Sequence, residues 1–253
     1  MPAKTLPPSP SREPFALFDN TLDDAPGAWL LTGLRDTIVC TDPAGWAVDL
    51  RRLEAAGRDG AWVALAAAYE LGYAIEPRLR PLLPADSGPL FTGWIFEHAE
   101  WLSDAACDAW LAARAGSTPA GTDVLQAAID EDDYFRQIDQ IRQYIAAGDC
   151  YQVNLTFPLT GHRFGSPAAL YRALRAAQPV RYGAFIDHAG GAILSRSPEL
   201  FVERRGTTLV SQPMKGTAPR DSDPAALAAS EKDRAENVMI RSEERRVGKE
   251  CLR

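Results

Sequence analysis

The sequence predicts an α+β fold with antiparallel strands, on three observations. In the first third, short apolar runs alternate with Gly, Asp and Pro punctuation, and a helical stretch lies between them. In the middle, Tyr134, Ile138, Ile141 and Ile145 recur at the spacing of one helix face. Past Gly183 the period changes to two, in paired runs around short turns, which is the pattern of antiparallel hairpins.

Taken in order, residues 1–14 are rich in proline and polar groups, lack periodicity and are expected to be a disordered leader. Ala28–Gly33, Thr37–Cys40 and Trp62–Tyr69 are apolar runs, with a helical stretch at Asp49–Ala56. Phe91–Phe96 is a strand candidate, Trp101–Ala115 a helix, and Gly116–Gly121 has the composition of a linker. That loop marks a boundary between an N-terminal region, 15–121, and a second region, 122–240. The next helix has an acidic start at Asp130–Asp133, suited to the positive end of its dipole, and Gly148 as its stop. Tyr151–Phe157 is β-rich. Ser166 and Pro167 open a helix as N-cap and N1, carrying Leu170 and Leu174 inward until Gln178–Pro179. Gly183–Asp187 and Ala192–Ser195 then flank His188–Gly191 as one hairpin. Leu200–Glu203 and Thr207–Ser211 flank Arg205–Gly206 as another. Ser230 with Asp233 opens a last helix toward Met239–Ile240.

The 253 residues are 46% apolar and 24% charged, enough to bury a core. The longest apolar run, Ala61–Ala68, is far short of the roughly 20 residues a membrane span needs, and no signal peptide is visible. A net charge of −7 argues against nucleic acid as a partner but allows a local cationic pocket for an anionic metabolite. Cys40, Cys107, Cys150 and Cys251 form no CxxC pair, and His98, His162 and His188 share no metal-ligand spacing, so a reducing, cytoplasmic setting is expected. Of 27 basic residues only Lys4, Lys215, Lys232 and Lys249 are lysines.

Three clusters bear chemistry: Gly148–Leu155, Ser195–Phe201 and Gln212–Arg220. Each alone also suits a helix stop, a strand entry or a loop. A turn at Arg205–Gly206 would set Glu199 roughly across from Gln212, so that Glu199 and the Lys215 loop share one end of a hairpin, and Pro213 would release the chain there. A desolvated lysine can act as an amine nucleophile, which arginine cannot. Gly216 allows a backbone N–H close to a carboxylate, and Thr217 adds a hydroxyl donor.

The segments YIAAGDCYQVNL, LSRSPELF, QPMKGTAPR and EKDRAENVMI, in this order and near these spacings, resemble the chorismate-utilising enzymes, clearly from Tyr134 to Ile240. That family includes anthranilate, aminodeoxychorismate, isochorismate and salicylate synthases. The N-terminal segment AAAYELGYAIEPRL is similar to the aminodeoxychorismate branch, as is the lysine before Gly216–Thr217, where anthranilate synthases typically carry alanine. The resemblance implies a family fold of antiparallel sheets packed as a β-sandwich surrounded by helices. It also implies amination of chorismate at C4 through a covalent intermediate on Lys215, with Glu199 as general acid/base and Gly216 and Thr217 binding substrate. Glu236 would bind Mg²⁺. Ammonia would come from a glutamine amidotransferase subunit, and the product would serve p-aminobenzoate and folate synthesis. Leu17–Asn20 and Gln178–Tyr182 stand where related chains build a tryptophan pocket, with Arg181 replacing a proline.

At Ile240 the helical pattern stops. Arg241–Cys251 resembles a translated DNA-sequencing adapter, so residues 241–253 are expected to be a non-native tail and the catalytic region to be truncated. The family residues that follow this point, a histidine, an arginine for the enolpyruvyl carboxylate and a second metal glutamate, have no counterpart here. The alternatives are therefore another chorismate enzyme, chiefly anthranilate synthase, and a fragment without activity of its own.

Overall fold

The structure is a computed structural model that describes residues 13–212, 214, 218–219, 221–236 and 238. Most of the leader, the 241–253 tail, Lys215, Gly216 and Thr217 lie outside the described residues. In chain order the elements are β1 (Phe15–Asn20), β2 (Gly27–Cys40), α1 (Trp46–Arg58), β3 (Trp62–Ala67), α2 (Leu71–Ile75), a 3₁₀ turn (Arg80–Leu82), β4 (Phe91–Ser103) and α3 (Asp104–Ala115). They continue as β5 (Gly121–Thr122), β6 (Gln126–Ala127), α4 (Glu131–Ala147), β7 (Leu159–Thr160), β8 (Arg163–Phe164) and α5 (Pro167–Ala177). Last come β9 (Tyr182–His188), β10 (Gly191–Ser197), β11 (Leu200–Arg205), β12 (Thr208–Gln212) and α6 (Pro224–Ala229). The α+β class with an antiparallel sheet holds.

The chain divides into two units, one made of the residues up to Cys107 and from Ala177 onward, the other of Asp108–Ala176. The first is built on a six-stranded sheet of order β10-β9-β1-β2-β4-β3, in which every neighbouring pair is antiparallel. Strand alternation sorts its side chains. On β4, Phe91 and Ile95 face α1 and pack with Leu53, Ala56, Ile38 and Cys40, while Trp94 and Phe96 face the other way with Ala16, Leu31, Ala64 and Ile186. Gly93 lies on the α1 side, and a Cβ there would collide with the Leu53 methyl groups, so glycine lets α1 sit close against the sheet. On the opposite face Trp29 stacks with Trp62 and meets Trp101 edge-on, both at 5.5 Å, and all three indoles remain partly exposed.

Two sequence expectations change in this sheet. Ala28–Gly33 and Thr37–Cys40 are one strand, because Gly33 (φ 70°) and a bulge between Leu34 and Asp36 absorb the irregularity without ending the ladder. The helix expected from Trp101 starts at Asp104: Trp101 pairs with Trp29 and Leu102 with Ala28, and Ser103 Oγ accepts from the Ala106 N–H at 3.3 Å as the cap. A ladder partner 72 positions away outweighs local helix preference.

In the second unit α4 has both expected stops. Asp130 Oδ1 accepts from the Asp133 N–H at 2.7 Å, and Gly148 (φ 82°) closes the helix in the left-handed conformation. None of the 17 residues of α4 is buried, however. Ser166 Oγ caps α5 by accepting from the Ala169 N–H and also donates to the Ala115 carbonyl. The inward stripe of α5 is Ala168, Tyr171 and Arg175, whereas Leu174 is exposed, which corrects the expected Leu170/Leu174 face. Both rows have helical spacing, so periodicity alone does not choose between them. The β-rich stretch Tyr151–Phe157 forms no strand, contrary to the sequence expectation. A strand needs a hydrogen-bonded neighbour, and none pairs with this stretch among the described residues.

Candidate active site

The candidate acid/base lies where β10 leaves the sheet. Ser197 is the last residue paired with β9, opposite Tyr182, and Pro198, lacking an N–H, cannot extend the ladder. Ser197 Oγ accepts from the Glu199 N–H at 3.2 Å and donates to the Glu199 carbonyl at 3.1 Å, which turns the chain toward β11. The β11–β12 turn falls at Gly206–Thr207, one residue later than expected, because Gly206 (φ 61°) adopts the left-handed conformation. A bulge between Leu200 and Glu203 takes up the difference, so Leu200 pairs with Gln212.

This places Glu199 at the hairpin mouth. Its Oε1 accepts from the Met214 N–H at 2.8 Å, and the Tyr182 hydroxyl donates to Gln212 Oε1 at 2.9 Å, tying the same hairpin end to the main sheet. The expected sharing of one hairpin end by Glu199 and the Lys215 loop therefore reaches Met214, the neighbour of Lys215. Lys215, Gly216 and Thr217 are themselves outside the described residues.

Beside this mouth is a buried ion pair that sequence reasoning missed. Arg196 Nη1 donates to Asp19 Oδ1 at 2.8 Å and to Oδ2 at 3.1 Å, with side-chain exposures of 5% and 0%. Nε and Nη2 of Arg196 also donate to the Gln178 carbonyl. The pair fastens the ends of β1 and β10 and the segment before β9. Its one sequence signal is a charge at an inward position on each strand, but the partners are 177 residues apart. Just past the Leu17–Asn20 stretch, Thr21 and Val180 exchange backbone and hydroxyl hydrogen bonds, and Arg181 Nε lies 3.5 Å from Asp23 Oδ1.

Glu236 is on a helical segment, 231–236, which Ser230 caps by accepting from the Asp233 N–H. Its side chain is 24% exposed, and Lys232 Nζ lies 4.0 Å from Oε1. Among the described residues no group of three His, Cys, Asp or Glu side chains could hold a metal. Glu236 supplies one carboxylate, which suits Mg²⁺ held by one or two carboxylates with water and substrate completing the shell.

Elsewhere, an open cleft of about 470 Å³ in the second unit is lined by Asp108, Gly116, Ser117, Arg172 and Arg175 and contains none of the candidate residues. There the Arg172 guanidinium makes two 2.9 Å hydrogen bonds to Asp108 and holds its carboxyl below the ordinary range, against a smaller opposing effect of burial. No helix among the described residues is long and apolar enough to cross a membrane.

A family model described as chorismate binding enzyme matches residues 42–247. The chain is 41% identical over 161 residues to an aminodeoxychorismate synthase of Streptomyces griseus, covering 57% of this chain and 22% of that protein. It is 39% identical over 142 residues to aminodeoxychorismate synthase component 1 of Klebsiella aerogenes, covering 52% and 32%. It is 38% identical over 136 residues to anthranilate synthase component 1 of Streptomyces coelicolor, covering 50% and 27%. The chain thus matches between about a fifth and a third of the length of these relatives. Among solved structures, a Bacillus anthracis protein described as a 2,3-dihydroxybenzoate-specific isochorismate synthase superposes with a TM-score of 0.60 at 18% identity, covering 90% of this chain and 58% of that one.

Proposed function

We propose an activity from one premise: the chain belongs to the chorismate binding enzyme family. Within it, we infer that the chain carries the aminodeoxychorismate synthase type of chemistry, amination of chorismate at C4 to 4-amino-4-deoxychorismate. The observation that carries this reading is the 2.8 Å bond from the Met214 N–H to Glu199, which brings the acid/base to the residue next to Lys215.

In the proposed sequence the Lys215 amine, unprotonated, attacks C2 of chorismate. Both ring double bonds shift, C1=C2 to C1=C6 and C5=C6 to C4=C5, and the C4 hydroxyl departs as water with a proton from Glu199. Ammonia then attacks C4, both double bonds shift back, the lysine amine leaves C2, and the surplus ammonium proton returns to the Glu199 carboxylate. Gly216 and Thr217 would hold a substrate carboxylate through a backbone N–H and a hydroxyl. Glu236 would be one ligand to Mg²⁺, which when bound would offset the negative charge of substrate carboxylate. Ammonia would come from a glutamine amidotransferase subunit, in p-aminobenzoate and folate synthesis in the cytoplasm.

The test uses intact protein that turns over chorismate with ammonia. Lys215→Ala should abolish 4-amino-4-deoxychorismate formation, and without ammonia the unsubstituted protein should gain the mass of chorismate less water, mapped to Lys215. Unchanged turnover by the alanine variant would remove the nucleophile assignment. Anthranilate as the product would favour the anthranilate synthase reading, to which the Streptomyces coelicolor relative lends support. A different reading, that this chain alone does not turn over chorismate, is favoured by α4 lacking any buried residue. Cooperative melting together with ammonia-dependent turnover would refute it.

A further inference from the structure

The longest apolar run of the chain, Ala61–Ala68, holds β3, and β3 is an edge of the six-stranded sheet. Its inner side is paired with β4, from Trp62 opposite Phe96 to Ala67 opposite Phe91, and the next residue, Ala68, donates its N–H to the Leu90 carbonyl at 2.9 Å. Backbone groups point to alternate sides along a strand, so the even-numbered residues serve that ladder, and the N–H and carbonyl groups of Val63, Leu65 and Ala67 point outward. Among the described residues no strand lies on that side. Nothing in the run blunts the edge: it has no charge, no proline and no bulge. The other edge strand, β10, carries Arg196 and is followed at once by Pro198. Trp62 and Leu65, which alternation sends to opposite faces, are each 44% exposed, so cover is missing along the edge itself.

We propose that β3 is a dimerisation edge: it pairs antiparallel with β3 of a second copy of this chain, about a two-fold axis through Leu65, and joins two six-stranded sheets into one. Three observations select a second copy and this register. The outward groups of Val63, Leu65 and Ala67 are symmetric about Leu65, so Leu65 meets Leu65 and Val63 meets Ala67 of the other copy, each pair exchanging both N–H···O=C bonds. Pairing centred on Ala64 instead would need the Ala61 N–H, which is already donated to the Ala56 carbonyl at 3.0 Å. Around Leu65 the run also matches itself in size and charge. Ala64 faces Ala66, the Trp62 ring faces Ala68, and no like charges oppose each other within it, although the whole chain carries −7. The pairing rests on the sheet and not on the amination reaction, and its test reads no turnover.

The full 253-residue chain would be followed by sedimentation equilibrium over a range of concentrations, with hydrogen exchange read on a peptide covering 61–68. A monomer–dimer equilibrium should appear, and exchange in that peptide should slow as the dimer forms. Leu65→Lys sets two cations opposite each other, and Ala67→Pro removes an outward N–H. Both should leave the monomer's circular dichroism and melting unchanged while weakening the dimer about tenfold or more. Register would be read by oxidation in a Cys150→Ser, Cys251→Ser background, since Cys40 and Cys107 are buried. Leu65→Cys should give a disulfide-linked dimer, the paired Cα atoms lying about 5.5 Å apart. Val63→Cys should not, its copy lying about 13 Å away along the strand. A chain that stays monomeric at every concentration would overturn the proposal. So would a dimer that survives both edge substitutions, equal cross-linking from positions 63 and 65, or growth past the dimer into open assemblies.

Discussion

Asp19 and Arg196 show how much one pair of side chains can hold. Two fully desolvated charges stabilise little as a pair relative to apolar residues, but removing one strands the other. Asp19→Ala should therefore cost about 3–5 kcal/mol in urea unfolding. Arg196→Met combined with Asp19→Leu should cost clearly less than the two single changes added together. The aspartate next to α5 in the second unit behaves differently. Asp108 is 44% exposed, so its bond to Arg172 contributes less than about 1 kcal/mol after solvent screening. Its folded-state pKa is depressed. That contribution is therefore present above the ordinary carboxylate value of about 3.9 and is lost as pH falls from there through the lower folded value. Arg172→Gln should return the Asp108 titration, followed by carboxyl-carbon NMR, toward the ordinary value and shallow the acid-side loss of stability.

Helices and strands here are set by a few special positions. α1 docks through Leu53 over Gly93. Gly93→Ala should cost about 1–3 kcal/mol by overpacking and Leu53→Ala about 2–5 kcal/mol by cavity formation. The double variant should cost less than the sum in denaturant melts, because the smaller side chain makes room for the new methyl group. At the end of α4, Gly148 at φ 82° should resist substitution: Gly148→Ala should cost about 1–2 kcal/mol locally. The expected result is faster amide exchange in the last turn of α4. Unchanged exchange would mean that this cap is dispensable.

Over the whole molecule, stability is unevenly distributed. The β2–β4 and β3–β4 ladders are long and flanked by two hydrophobic clusters, whereas α4 and 151–157 bury no side chain. Native-state hydrogen exchange should rank them accordingly, with β2 and β4 slowest and the α4 and 151–157 amides fastest among comparable elements. Equal protection across the chain would contradict this distribution.

Sequence alone determined the features that act within a few residues. The Asp130 and Gly148 ends of α4, the Ser166 cap of α5, the Ser230 cap and both late hairpins were readable because caps and turns depend on local backbone chemistry. So were the motifs that resemble chorismate enzymes, which the match over 42–247 supports at the level of the family. Only tertiary structure decided that Trp101–Ser103 is strand, that Tyr171 and Arg175 face inward, that 151–157 lacks a ladder, and that Asp19 meets Arg196. Each of these turns on a partner distant in the chain, and periodicity says which side of an element wants cover without saying what covers it.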